Sequence, residues 1–205
     1  MKPLLKPGVH KLIGCVRRCQ GLMVAPGNPL GVHGLADLAP VPGRTLRFIN
    51  RQAGSGTRVL MDHLLAAQGL APEAIAGWFD APEDSHLAVA AALASGAADA
   101  GPGIEAAARA FGLGFVPLID EDYFLVCLKD ALDHPAVAKL RAALADPAWV
   151  QALQGLPGYA PAAGGGQVLS LTQALPWWHF RQPKKAVPPA ADHQPAQPHP
   201  TRLPA

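Results

Sequence analysis

What the sequence is short of narrows its function first. It has almost no excess of either charge: 17 Lys and Arg against 15 Asp and Glu leave a formal net charge of +2 over 205 residues. A balance so close to neutral gives no field of the kind that grips a nucleic-acid duplex, so no direct nucleic-acid binding is expected. No apolar run approaches the length of a membrane span, so no membrane insertion is expected. Met1 to His10 contains lysines, prolines and a glycine but no apolar core with a small-residue cleavage site, unlike a secretory signal. These absences predict a cytoplasmic chain. Cysteine is scarce as well: three, an odd number, suits a reducing compartment better than a disulfide framework. Cys15 and Cys19 would supply two corners of a metal site, but a structural zinc needs about four ligands. With only Cys127 and scattered histidines to help, buried thiols are expected and no metal.

Signatures of phosphate and acyl chemistry are missing too. The chain has no Gly-x-x-x-x-Gly-Lys-Ser/Thr loop, and Gly101-Pro102-Gly103 lacks the third glycine of a dinucleotide fingerprint. The stretch Ala53-Gly54-Ser55-Gly56-Thr57 is not a Gly-x-Ser-x-Gly elbow, and no histidine is evidently placed to activate Ser55. The sequence therefore predicts no enzyme, the alternatives being an enzyme or cofactor-phosphate binder that uses the Gly54 to Thr57 turn, or a truncated remnant that binds nothing.

What is present is a half-apolar chain long enough for a sizeable core. Strands are expected at Leu12 to Val16, Leu22 to Ala25, Leu46 to Ile49, Ala98 to Ala100, Phe115 to Leu118 and Tyr123 to Leu128. Helical spacing covers Thr57 to Gln68, Ser85 to Ser95, Ile104 to Phe111, His134 to Ala145 and Ala148 to Gln154. Strands alternating with helices predict an α/β fold with a mainly parallel sheet. Arg181 to Ala205, rich in Pro, Ala, Gln and His, cannot bury enough apolar surface to order itself and reads as a disordered tail.

The segment Asn50 to Arg58, "NRQAGSGTR", joins an apolar run to a helix through a glycine turn. Such a turn leaves several backbone N–H groups unpaired at the positive end of the helix dipole, which is a seat for an anion. Ser55 and Thr57 add hydroxyl donors, Gly54 and Gly56 permit close approach, and Arg51 and Arg58 can add charge-assisted hydrogen bonds. The alternative from composition alone is an N-cap serine in a flexible turn flanked by two solvated arginines.

The blocks "RRCQGLMVAPGNPLGV", "RFINRQAGSGTR", "SHLAVAAALASGAADAGPG", "GFVPLIDEDYFLVCL" and "LQGLPGY", in that order across residues 11 to 178, resemble the molybdate-binding, periplasmic-binding-protein-like domain often fused to helix-turn-helix regulators. The resemblance implies a type II solute-binding fold, two α/β lobes joined by crossing strands with the ligand in the cleft between them. Family members carry a further stretch ahead of the first block, so the first lobe is expected to be incomplete. Implied divisions are residues 1–45, a first-lobe remnant and crossing strand; 46–118, a second lobe with anion-binding helix N-termini; 119–178, a return strand and first-lobe helices; and 179–205, the tail.

By the same resemblance Ser55, Gly56 and Thr57 match the oxyanion-cradling turn, Arg51 the arginine that precedes this turn in phosphate-binding relatives, Ser85 and His86 a second helix N-terminus facing the cleft, and Tyr123 a tyrosine that reaches the oxyanion in molybdate binders. The implied ligand is molybdate or tungstate, with no cofactor. Ala53 stands where phosphate-binding relatives have an aspartate that accepts the proton of hydrogen phosphate, which implies a preference for unprotonated dianions. DNA binding, or the rest of the first lobe, would come from a partner chain. Asp99 is expected to be a turn carboxylate, and Trp149, Trp177 and Trp178 to be core or lobe-capping residues.

Overall fold

The computed structural model describes residues 4–175. It has α/β content organised around two long strands, β1 (His10–Val24) and β3 (Gly114–Leu128), each of 15 residues and paired antiparallel from end to end. Fifteen residues of strand reach about 50 Å, enough to run from one half of the molecule into the other. The second flank of β1 is shared by β2 (Ala100–Ile104), which pairs with Gln20 to Val24, and by β4 (Tyr159–Pro161) and β5 (Val168–Leu169), which pair nearer the start of β1.

Sequence periodicity divides each long strand in two, because Arg17 to Gly21 and Ile119 to Asp122 interrupt the apolar runs. The structure keeps both strands continuous because those interruptions satisfy each other. Arg17 donates to Asp122 at 2.8 and 3.0 Å, Arg18 pairs with Glu121, and Gln20 Nε2 donates to Glu121 Oε2 at 2.9 Å. Polar residues in mid-strand thus become cross-strand pairs, with irregularities of register between Gly14 and Val16 and between Gln20 and Gly21.

The expected mainly parallel sheet requires correction. All pairings among the five named strands are antiparallel, and parallel contact is confined to the isolated bridges Phe48 with Ala100 and Arg51 with Glu83. Leu46 to Ile49 forms no named strand because its backbone bonds are split between neighbours: Phe48 N–H donates to Ala76 and Ile49 N–H to Ala100.

Helices α1 (Gly56–Ala67), α2 (His86–Ala94) and α3 (Glu105–Ala110) surround the C-terminal half of β1. Alternation on the strand sends Leu22 and Val24 into one core with Phe48, Met61, Leu65 and Trp78, and Met23 into another with Val89, Ala90, Ala107 and Leu113. The other end holds α4 (Pro135–Ala145), α5 (Pro147–Gln154) and α6 (Leu171–Ala174), and its core cluster has only Leu12 and Leu171 fully buried. Trp149 on α5 is 37% exposed. Trp177, Trp178 and the proposed tail at 179–205 lie outside the described residues, and the expected division at residue 118 falls within β3. No helix among the described residues is long and apolar enough to cross a membrane.

Gly21 pairs with Pro117 on β3, and a Cβ there would lie 2.1 Å from the Val116 carbonyl oxygen and 2.7 Å from the Phe115 ring. Since a backbone atom cannot swing aside, Gly21→Ala should cost about 1–3 kcal/mol of overpacking, readable as a lowered urea midpoint at unchanged slope.

Candidate anion-binding cleft

The N-termini of α1 and α2 open onto one cleft of ≈ 630 Å³ whose other wall is the middle of β1 and β3. Each helix starts on a serine. Ser55 Oγ accepts from Arg58 N–H at 3.2 Å and Ser85 Oγ from Ala88 N–H at 3.1 Å. As N-caps they use one acceptor site and leave the hydroxyl proton free to donate. Gly54, at φ +82, makes the turn that delivers Ser55 to this position, with Ser55 N–H donating to Gln52.

Buried Asn50 holds the two turns together. Its Oδ1 accepts from Arg51 N–H at 2.8 Å, its Nδ2 donates to the Trp78 carbonyl at 3.3 Å, and its own carbonyl accepts from Glu83 N–H at 2.9 Å. Arg51 consequently reaches from the α1 turn to the α2 turn, donating from Nε to the Glu83 carbonyl at 3.3 Å and from Nη2 to the Asp84 carbonyl at 2.7 Å. Both partners are neutral, and among the described residues Arg51 forms no ion pair. Burial lowers its pKa, with Asp84 opposing and Arg18 adding to the fall; it remains a cation at neutral pH.

Of the residues expected from sequence, Arg51, Ser55, Gly56, Thr57, Ser85, His86 and Tyr123 all line this cleft. Arg58 does not. Its guanidinium is drawn away by Asp62 at 3.0 Å and the Trp78 carbonyl at 3.3 Å, and it lies over the Trp78 and Phe79 rings. Asp99 stays with Arg47, accepting at 2.6 and 3.0 Å, as a structural carboxylate should. Sequence reading missed Arg18, Gln20 and Glu121, which also line the cleft. Their signal was the i, i+2 spacing of Arg18 and Gln20 opposite the "DED" of β3, visible only once the two strands are read as continuous crossings.

The two walls differ in charge. Arg18 is matched by Glu121, donates to the Tyr123 hydroxyl, and stacks 4.5 Å over the Tyr123 ring. Arg51, on the opposite wall, is the cation without a carboxylate partner. His86 lies between, its Nδ1 buried with no partner among the described residues. Burial first, then Arg51 and Arg18, push its pKa down from 6.5 to about 4.

The folded protein therefore resists protonating His86. Its contribution to stability is complete above pH 6.5 and is lost as pH falls toward 4, because the unfolded chain takes up the proton there. The fall in Tm between pH 7.5 and 4.5 should be smaller in His86→Gln than in the wild type, by about 2–4 °C for each kcal/mol recovered. An anion on Arg51 would cancel part of the positive field but not the burial, so proton uptake on binding should be largest near pH ~4–5, measurable as buffer-dependent heat.

Among the described residues no group of three His, Cys, Asp or Glu side chains is placed to hold a metal ion.

Comparison with known proteins agrees with this architecture. Residues 1–145 match the PBP_like family, described as the PBP superfamily domain. A stretch of 118 residues is 44% identical to the uncharacterized protein YvgK of Bacillus subtilis (strain 168), covering 58% of this chain and 37% of YvgK. The chain thus spans little more than a third of that relative. The fold resembles a structure described as a two-component system protein that mediates signal transduction, with a TM-score of 0.59, 15% identity, and coverage of 74% of this chain and 56% of the other. It also resembles the substrate-binding domain of a candidate molybdenum ABC transporter from Clostridium difficile, with a TM-score of 0.54, 16% identity, and coverage of 74% and 66%.

Proposed function

Because the chain belongs to the PBP superfamily, we propose that it is a non-enzymatic binding domain whose cleft takes a tetrahedral oxyanion, molybdate or tungstate foremost. The observation that carries this reading is Arg51: a guanidinium lining the cleft between two helix N-termini, held by carbonyl oxygens and in ion-pair contact with no carboxylate among the described residues. An anion there completes its electrostatics and meets donors already aimed at it, namely the Ser55 and Ser85 hydroxyls and the first-turn amides. Thr57 and His86 shape the same floor, and Tyr123 faces it from the crossing strand.

The preference for molybdate or tungstate rests on the sequence blocks quoted above and on Ala53, which supplies no acceptor for a protonated oxyanion. Closure of the two walls on the ligand would bias a population of conformations and pass the signal to a partner, as in a cytoplasmic sensor of a molybdate-responsive regulator or a capture module for transport. The partner would supply DNA binding.

Calorimetric titration with molybdate, tungstate, sulfate and phosphate tests the reading. Micromolar binding of molybdate or tungstate, with phosphate weaker and all binding reduced in Ser55→Ala, is the expected outcome. A folded protein giving no heat with any of the four would refute it, and phosphate binding as tightly as molybdate would overturn the argument from Ala53.

A further inference from the structure

Gln20 is 1% exposed, yet it lines the cleft and one of its polar atoms has no partner among the described residues. Its orientation is fixed chemically. Nε2 donates to Glu121 Oε2 at 2.9 Å, whereas a flipped amide would press Oε1 against that carboxylate. What remains unpaired is therefore an acceptor, Gln20 Oε1. A buried polar atom without a partner is costly, and such atoms call for a functional explanation.

We propose that Gln20 Oε1, backed by Glu121, forms a second subsite in the cleft that accepts a hydrogen bond from a hydroxyl of the ligand, so that the cleft's fullest ligand is a small hydroxylated organic oxyanion such as a polyol phosphate. The inference rests on the anion seat proposed above. A bare dianion is an acceptor at every oxygen and cannot satisfy Gln20. An ammonium group would meet Arg18, which already neutralises Glu121, whereas a hydroxyl brings a donor without charge.

Arg51 and the two serine hydroxyls thus lie on one wall, with Asp84 beside them, and Gln20 Oε1, unpaired among the described residues, on the other. A head group at Arg51 and a separate hydroxyl at Gln20 fit the two positions without conflict. The cleft volume of ≈ 630 Å³ lies within the range of roughly 300–1,000 Å³ that holds small organic ligands.

The test is calorimetry at pH 8, where a phosphate monoester is dianionic because its second pKa is about 6. Glycol, glycerol and erythritol phosphates are compared with ethyl, propyl and butyl phosphates on wild type, Gln20→Met and Arg51→Ala. At least one hydroxylated member should bind about tenfold or more tightly than its alkyl counterpart, a gain of about 1.4 kcal/mol. That gain should vanish in Gln20→Met while alkyl phosphate binding persists, and Arg51→Ala should weaken both series alike. Gln20→Asn, which keeps the amide but withdraws the acceptor, replaces Gln20→Met if the latter does not fold. Equal binding of both series at all three lengths, or a hydroxyl gain that survives both Gln20 variants, overturns the second subsite and leaves the anion seat standing. Absence of binding by both series and by molybdate overturns the seat itself, and the subsite with it.

Discussion

Arg51→Ala is expected to weaken oxyanion binding by about 10- to 150-fold, the range that corresponds to the 1.5–3 kcal/mol of a charge-assisted hydrogen bond. The fold should survive, because the Glu83 carbonyl still accepts from Gln52 N–H at 3.0 Å and the Asp84 carbonyl, in an exposed bend, can return to water. Arg51→Lys should fall between the two, since an ammonium keeps the charge but cannot bond both carbonyls and still present a planar fork to the anion. Calorimetry of the three proteins at low and moderate salt separates the contributions: the loss in Arg51→Ala should narrow as salt screens the wild-type interaction. Circular dichroism melting of the same samples establishes that the scaffold is intact.

The largest effect on stability is expected at Trp78. Its side chain is 1% exposed and stacks on Phe48 with ring centroids 5.1 Å apart and planes inclined by 11°. Trp78→Ala should cost about 3–5 kcal/mol by leaving a cavity in the larger core, a fall in Tm of roughly 6–20 °C for a domain of this size. The loss should reach the site as well. The Trp78 carbonyl accepts from Asn50, which in turn holds Arg51 N–H and the strap to Glu83. Trp78→Phe keeps the stack and removes an indole N–H that has no partner among the described residues, so it should cost much less. Thermal melts of both variants, with anion affinity measured on whatever folds, distinguish a core defect from a displaced Arg51.

The parts of this molecule legible in sequence were those specified locally. Ser55 and Ser85 announce their helices because an N-cap hydroxyl and a following apolar stripe are short-range signals, and Gly69 and Gly96 mark the ends by adopting positive φ just beyond them. The proposed anion seat rests on the same local chemistry for the Asn50 to Arg58 turn and on the family resemblance for Ser85, His86 and Tyr123, and seven of the eight residues so assigned line one cleft. Arg58 is the exception: Asp62, four residues on along α1, is a local signal that draws it away, whereas the Trp78 and Phe79 rings some twenty residues on are not.

Pairing between distant segments was less legible. Arg17, Arg18 and Gln20 look like an interruption until Glu121 and Asp122 are seen opposite them, so one strand was read as two and the acceptor wall of the cleft went unnoticed. The parallel sheet was inferred from alternation of elements, a rule that holds when each strand pairs with the next of its kind. Here β1 instead runs antiparallel to every named strand that flanks it, and the segment around Phe48 keeps only bridging contacts.

The central claim is positional: an oxyanion sits where the α1 and α2 N-termini meet Arg51. The most direct measurement is the anomalous signal of tungsten in crystals soaked with tungstate. The account predicts an ordered peak enclosed by the Ser55 and Ser85 hydroxyls, the first-turn amides and the Arg51 guanidinium, and absent from crystals of Arg51→Ala. An empty cleft at saturating tungstate, or ordered tungsten only elsewhere on the surface, would contradict it.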